Sequence, residues 1–175
     1  MRYFIFLILF SYYQMASAQK EAYASDVQTI EALTKAYYDC ISGPIGQIRD
    51  FDRLRNLFHP NATFTYSFWS EEAGKNELMQ FDLEDYIEKL DYLDKKGFYE
   101  EELSSATHEF GGMVNVISSY RFWMEDKTAE GRGITNYHYY FDGDRYWILS
   151  MYWQMESDQY PIPEHLLRDQ KNWNK

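Results

Sequence analysis

Residues 98–156 restrict the fold of this chain more than any other segment. They consist largely of long runs rich in β-branched and aromatic residues, separated by short turn signals. Asp142-Gly143 is a strong signal for a tight hairpin, and Gly111-Gly112 marks an earlier turn. The pattern predicts four consecutive antiparallel strands. These strands are Tyr99–Glu109, Met113–Met124, Gly133–Phe141 and Arg145–Glu156.

The residues before this segment show helical periodicity instead. Apolar residues at three- and four-residue steps predict a first helix over Val27–Ile41. Asp50 is expected to cap a shorter second helix, and Asp82 a third helix that ends near Gly97. A strand is predicted over residues 62–69, whereas the polar stretch at residues 70–80 is expected to be a loop.

The order of these elements indicates an α+β fold. Three N-terminal helices, one strand among them and then a run of long strands favour a cone-shaped, curved antiparallel sheet wrapped around the helices. The length suits one ordinary domain, which we place at residues 19–160. A polar tail follows at residues 161–175.

Three short motifs resemble the nuclear-transport-factor-2-like superfamily, and within it the SnoaL-like branch. They are Tyr37-Tyr38-Asp39, the sequence LFHPNA at residues 57–62 and the sequence DGDRYWIL at residues 142–149. The resemblance covers residues 26–156 and implies a pocket between the curved sheet and the helices. It also implies dimerisation through the outer face of the sheet. It does not select an activity, because the superfamily includes isomerases, dehydratases, cyclases and carriers.

The last predicted hairpin supplies the candidate site residues. A two-residue turn at Asp142-Gly143 places His138 opposite Trp147. Asn136 and His138 then share a face with the apolar residues of the final strand, so we expect both to point into the cone. A longer turn would shift the register and send His138 outward. The predicted ligand-binding residues are Tyr37, Asn136, His138, Met151 and Trp153.

His138 is the candidate catalytic residue, because histidine is a common acid–base group near neutral pH. The alternative interpretation is a structural histidine that is hydrogen-bonded in the core or lies on the sheet. No sequence pattern pairs His138 with an acid. Glu100-Glu101-Glu102 is interpreted as solvated surface, although a carboxylate near the pocket remains an alternative base.

Composition and motifs disfavour several other functions. The net charge of −11 disfavours binding to nucleic acid or to an anionic membrane. The sequence contains no HExxH or CxxC pattern and no glycine-rich phosphate loop, so neither a metal site nor a cofactor is predicted.

Aromatic residues on the opposite face of the last hairpin point to self-association. In the predicted register Tyr137, Tyr139, Tyr146 and Tyr152 fall on the face away from His138. An exposed aromatic face of this size favours a homodimer.

Three functions are compatible with the sequence. The first is binding of a small, largely apolar or aromatic molecule in the cone. The second is an isomerase, dehydratase or cyclase type of enzyme that uses His138 or a nearby carboxylate. The third is a protein-interaction module that uses the aromatic face of the sheet.

The first 18 residues predict secretion or a periplasmic location. Met1-Arg2 precedes an apolar run over Tyr3–Tyr13, and Ala16-Ser17-Ala18 supplies the small residues of a cleavage site. The run is too short for a membrane-spanning helix, so no stable membrane anchor is expected after cleavage. N-terminal analysis of the exported protein is expected to begin at Gln19. An intact Met1 in a membrane-embedded protein would contradict this prediction.

Overall fold

The computed structural model describes residues 22–167. Within this range the chain forms four α-helices and six strands, flanked by the 3-10 turns Ala24–Val27 and Glu164–Leu166. The helices are α1 (Ile30–Ile41), α2 (Phe51–Leu57), α3 (Leu83–Leu90) and the single turn α4 (Leu93–Lys96). The strands are β1 (Phe58–Ser70), β2 (Lys75–Phe81), β3 (Phe98–Phe110), β4 (Met113–Met124), β5 (Glu130–Phe141) and β6 (Tyr146–Met155).

The strands form one open sheet in the order β2-β1-β6-β5-β4-β3. All neighbouring pairs are antiparallel except β1 and β6, which run parallel. The sheet is therefore mixed rather than wholly antiparallel. The predicted α+β architecture, with a sheet that packs on the N-terminal helices, is confirmed.

Local hydrogen bonds explain where the helices begin. The Thr29 side chain accepts a bond from the Ala32 backbone nitrogen at 3.1 Å, so α1 begins at Ile30. Asp50 and Asp82 cap α2 and α3 in the same way, as the sequence predicts.

The polar stretch before α3 is a strand rather than the expected loop. Residues Lys75–Phe81 pair with β1 at the edge of the sheet. Most of the β2 side chains are exposed, and backbone hydrogen bonds to β1 define the strand. A strand of this kind lacks the apolar alternation by which strands are recognised in a sequence.

The turn between β5 and β6 is longer than predicted. Phe141 pairs with Tyr146, so the turn contains four residues rather than two. Asp142 Oδ1 accepts hydrogen bonds from the backbone nitrogens of Asp144 at 2.8 Å and Arg145 at 2.9 Å. Side-chain acceptors of this kind stabilise tight turns without the two-residue hairpin geometry.

A register shift then exchanges the faces of the two strands. His138 pairs with Ser150 but Tyr139 pairs with Ile148, which leaves Leu149 as an extra residue in β6. Tyr137 and Tyr139 point to the helices and are each only 1% exposed. Their predicted placement on the outer face is wrong.

The remaining aromatic residues of the predicted outer face divide between the two sides. Tyr146 packs against the core, whereas Tyr152 lies on the outer face, where it is 49% exposed.

Candidate functional site

Packed aromatic rings fill much of the space between the helices and the sheet. The Tyr37 ring makes edge contacts with Phe58 and Tyr137, and its hydroxyl lies 2.6 Å from the Tyr86 hydroxyl. The Tyr86 ring in turn stacks on Phe64. Tyr37 is therefore a core residue whose hydroxyl already has a partner.

Two other predicted ligand-binding residues also face the helices. Met151 is buried within the same hydrophobic cluster. Trp153 is half-buried and stacks on Tyr66, with ring centroids 5.6 Å apart. Both lie on the predicted side of the sheet.

His138 and Asn136 lie on the outer face, so their predicted inward orientation is wrong. His138 is exposed, and its Nδ1 lies 2.8 Å from Ser150 Oγ. Asn136 accepts a 2.5 Å hydrogen bond from the Asn115 side chain on the neighbouring strand. The extra residue in β6 is the physical reason, because it separates Met151 and Trp153 from the face that carries His138.

A cavity lies instead between α1 and β3. Its volume is about 350 Å³. The residues that line it include Ile30, Glu31, Thr34, Lys35, Tyr38, Asp39, Glu100, Glu101, Glu102 and Val116.

The Glu100 carboxyl is the principal unusual group of this cavity. The side chain is half-buried, and this burial raises its pKa to about 8. No hydrogen bond or ion pair to the carboxyl is found among residues 22–167. A carboxylate without a partner is costly in an apolar environment, so this group holds its proton at neutral pH. Six tyrosines lie close enough for the charge on Glu100 to raise their pKa values. They are Tyr37, Tyr38, Tyr86, Tyr92, Tyr120 and Tyr137.

Two of these tyrosine hydroxyls are also buried without a hydrogen-bond partner, those of Tyr38 and Tyr137. The Tyr38 oxygen lies near the hydroxyls of Tyr137 and Ser118, but without the geometry of a hydrogen bond. Buried polar groups are nearly always paired with protein or water. The Glu100 side of the cavity therefore combines several unsatisfied polar groups.

The end of α1 fixes the backbone at Glu100. Ser42 caps α1, and its hydroxyl accepts a 3.0 Å bond from the Glu100 backbone nitrogen. Gly43 and Phe98 exchange two further backbone bonds at 2.7 and 3.0 Å. The Arg49 side chain holds this segment by donating to the carbonyl groups of Ile41 and Gly43. Glu100 thus stands on a braced segment rather than on a mobile loop.

The interpretation of residues 100–102 as solvated surface is wrong for Glu100. Side chains alternate along a strand, so Glu101 points outward and pairs with Arg121 at 2.5 Å. Glu100 shares the inner face with the buried Phe98. Glu102 is exposed and accepts 2.8 Å bonds from Ser105 and Ser118.

A second concave surface of about 590 Å³ lies on the outer side of the sheet, next to the C-terminal segment. It is lined by Ile117, Ile134, Asn136 and Tyr152 of the sheet and by Ile162 and Leu166 of that segment. Its lining is mainly apolar. Among residues 22–167, no group of three or more metal-binding side chains converges on one point.

We predict that Glu100→Gln makes stability less dependent on pH. A carboxyl whose pKa is about 8 when folded and 4.5 when unfolded favours the folded state at low pH, and this contribution falls as the pH rises from about 4.5 to about 8. Relative to the wild type, the variant should gain roughly 3 kcal/mol between pH 4.5 and pH 8.5. Urea unfolding at several pH values measures the difference.

Glu109→Gln is the control, because Glu109 is an exposed acid on the same strand. The free energies of unfolding of the wild type and of Glu100→Gln are compared at each pH. If their difference stays constant with pH, Glu100 is not a desolvated acid.

The fold is shared with proteins of known structure. An NTF2-like protein of unknown function from Pseudomonas putida KT2440 superposes with a TM-score of 0.57 at 13% identity, covering 82% of this chain and 89% of the other. A protein of unknown function with a cystatin-like fold from Nostoc punctiforme gives 0.55 at 8% identity, with 74% and 90% covered. The hexachlorocyclohexane dehydrochlorinase LinA-type3 from Novosphingobium barchaimii LL02 gives 0.55 at 12% identity, with 73% and 84% covered.

No protein-family model matches the chain, and no curated protein sequence matches it. At these identities the structural similarity establishes the architecture and leaves the activity open. The chain therefore has the nuclear-transport-factor-2-like fold that its sequence motifs imply.

Proposed function

We propose that the protein binds a small, largely apolar or aromatic molecule in the cavity between α1 and β3. The observation that carries the proposal is the half-buried Glu100 carboxyl, whose pKa is raised, beside the buried and unpaired Tyr38 hydroxyl, since both residues line the cavity. Ile30 and Val116 supply apolar wall next to these atoms. Small-molecule sites combine apolar wall with a few convergent polar groups, and this cavity has both, although charged and polar residues form most of its lining.

The energetics of the empty cavity support this proposal. Each buried polar group without a partner costs about 1–3 kcal/mol relative to a satisfied one. These groups occur together, whereas the nearby Tyr37 and Tyr86 hydroxyls satisfy each other. A ligand with a polar group would pair with Tyr38 or Glu100, which line the cavity.

An enzymatic function is the second candidate, and Glu100 favours it. A carboxyl with a pKa of about 8 is able to gain or lose a proton near neutral pH, which suits general acid–base chemistry. One structural neighbour, the LinA-type3 dehydrochlorinase, shows that this fold supports an enzyme. Because His138 lies on the outer face, Glu100 replaces it as the candidate proton-transfer group.

We also propose self-association through the outer face of the sheet. Phe110, Met113 and Tyr140 form a row across neighbouring strands and are 81%, 62% and 42% exposed. Adjacent exposed apolar side chains of this kind favour burial against a partner. The residues differ from the aromatic set expected from the sequence, but the face of the sheet is the same.

Export is a further proposal and depends on the sequence pattern of residues 1–18 alone. These residues lie outside the part of the chain that the structure describes. No helix within residues 22–167 is long and apolar enough to cross a membrane.

Tyr38→Phe is expected to stabilise the empty protein or leave it unchanged, because the lost hydroxyl has no hydrogen-bond partner. The same change should weaken binding of 2-naphthol, a neutral aromatic alcohol, about 5- to 10-fold through loss of one hydrogen bond. Urea unfolding and an NMR titration measure the two effects. Tyr139→Phe is the control, since it removes a hydroxyl that is hydrogen-bonded to Thr34 and should destabilise the protein by about 1 kcal/mol.

The binding proposal fails if 2-naphthol perturbs no resonance near Tyr38 at millimolar concentration. It also fails if Tyr38→Phe destabilises the protein as much as Tyr139→Phe does, because the hydroxyl would then be satisfied within the fold.

Met113→Asp should convert a dimer to a monomer, because it places a charge in an apolar contact. Ile48→Asp is the matched control, since Ile48 is 86% exposed but lies outside the sheet. Sedimentation velocity measures the oligomeric state of each protein. Tens of micromolar is a suitable concentration, because an interface of standard size is populated there. A monomeric wild type would contradict the proposal.

A further inference from the structure

We propose that the free edge of β3 binds an extended, lysine-rich polypeptide segment, which adds to the sheet as a further strand. The inference goes beyond the small-molecule proposal, because it concerns the backbone of β3 rather than the polar groups inside the neighbouring cavity. It rests on the position of β3 in the sheet, on the shape of the space beside it and on the charges around that space.

β3 is a long strand at the edge of the sheet. It stands last in the strand order and pairs along its length on one side only, with β4. It contains 13 residues, whereas strands of globular proteins usually contain about 3–10. An edge strand presents unpaired backbone N–H and C=O groups, which can form a ladder with another strand. Natural proteins therefore tend to cover or shorten such edges.

The beginning of this edge already accepts a partner. Gly43 forms an antiparallel bridge to Phe98 through backbone bonds of 2.7 and 3.0 Å. The Glu100 backbone nitrogen donates to the Ser42 hydroxyl at 3.0 Å. The backbone groups of Phe98 and Glu100 therefore point away from β4. Within residues 22–167 no strand continues this pairing, so the edge beyond Glu100 is left open.

The same backbone orientation returns after the irregularity in β3. The register against β4 shifts at Leu103, but β4 itself continues without interruption. The residues of β3 that face the even-numbered residues of β4 therefore share one orientation. The bridged residues at the start of the strand belong to this set, and so do Ser105, Thr107 and Glu109. Their N–H and C=O groups point away from β4, where the sheet supplies no partner.

The cavity between α1 and β3 lies along this edge. Its lining includes residues between 100 and 107 of the strand and between 30 and 39 of the helix, so the space is elongated. Side chains from both faces of β3 line it, since Glu101 points outward whereas Ser105 and Thr107 point inward. The two faces of a strand meet at its edge. The cavity therefore leaves room beside β3 for an extended segment, which is a common mode of peptide recognition.

The charge around this space favours a basic partner. Asp39 and Glu101 each pair with a basic side chain, but acidic groups remain in excess. A second copy of the chain would bring the same acidic residues together, which opposes pairing between two β3 edges. Lysines on alternate positions of an added strand would instead lie beside these acids. Apart from Glu100, the charged residues of the lining are Glu31, Lys35, Asp39, Glu101 and Glu102.

Hydrogen exchange tests the geometry of the edge. The backbone amides of Ala106 and His108 point to β4, so they should exchange at least about 10-fold more slowly than those of Ser105 and Thr107. A bound peptide strand should slow exchange at Ser105 and Thr107, and change it by less than about 2-fold at Ala106 and His108. NMR spectra recorded after transfer into deuterated water measure all four amides.

Three peptides test the chemistry of the partner. The probe is acetyl-KTKTKTK-amide, and its affinity is measured by NMR titration at low salt. Acetyl-ETETETE-amide has the same length and the opposite charge. A third peptide has the probe sequence with a methyl group on each backbone nitrogen, so it keeps the charge but cannot donate to β3. We expect the probe to bind at least about 10-fold tighter than either of the other two.

The corresponding change in the protein is Thr107→Pro. It removes one outward N–H and should weaken binding of the probe about 5- to 10-fold, since proline is tolerated where an edge N–H points away from the sheet. Thr107→Ala is the matched control, because it shortens the same side chain but keeps the N–H, and it should change the affinity less than about 2-fold. If the proline variant unfolds, the N-methylated peptide tests the same bond from the ligand side.

Four results would overturn the inference. They are absence of probe binding at millimolar concentration, equal binding of the N-methylated peptide, equal binding of the acidic peptide, and unchanged exchange at Ser105 and Thr107 in the complex. Slower exchange at these two amides when the protein alone is concentrated would identify a second copy as the occupant instead. The small-molecule proposal is decided separately by 2-naphthol and Tyr38→Phe, so either proposal can fail while the other stands.

Discussion

The contact between the Tyr37 and Tyr86 hydroxyls, 2.6 Å apart, organises the interior of this protein. It joins α1 to α3 in the centre of the fold, where the two rings also pack against Phe58. Each hydroxyl satisfies the other, so two large polar side chains are buried without water. The interior between the helices and the sheet is consequently a packed aromatic core.

The sequence predicted the architecture but not which side chains of the last hairpin face the helices. Strong local signals decided the elements, such as the Asp50 and Asp82 caps and the long runs of strand residues. The face of β5 depends instead on a four-residue turn and on the extra residue Leu149. The longer turn moves the pairing by two residues and the extra residue by one, so the extra residue is what exchanges the faces. Nothing in the local composition announces either change. Tyrosine was also ambiguous, because it suits an outer surface as well as a buried one.

Glu100 shows a second limit of sequence reasoning. Three consecutive glutamates are ordinarily solvated, and two of the three follow that expectation here. The alternation of side chains along β3 did indicate that Glu100 is buried. Glu100 lies on the same face as Phe98, an apolar residue at the start of the strand. That signal becomes convincing only when α1 is known to cover the same face, which is a property of the folded chain. The sequence therefore showed that Glu100 and Glu101 lie on opposite faces of the strand, but not which of the two faces is buried.

Natural folds rarely keep a buried acid that has no partner, because replacing it with an amide or an apolar residue would usually stabilise the protein. Here the cost is reduced rather than removed, since the raised pKa lets the Glu100 carboxyl take up a proton and become neutral. The unpaired Tyr38 and Tyr137 hydroxyls add to the cost at the same place. Two other buried side-chain atoms without a partner, Asn56 Nδ2 and Asp94 Oδ1, lie outside the lining of this cavity, whereas Tyr38 lines it together with Glu100, which follows a segment braced by Ser42 and Arg49. The proposed binding function would account for the local cost at Glu100 and Tyr38, because real proteins tend to break the rules of packing and pairing at functional sites.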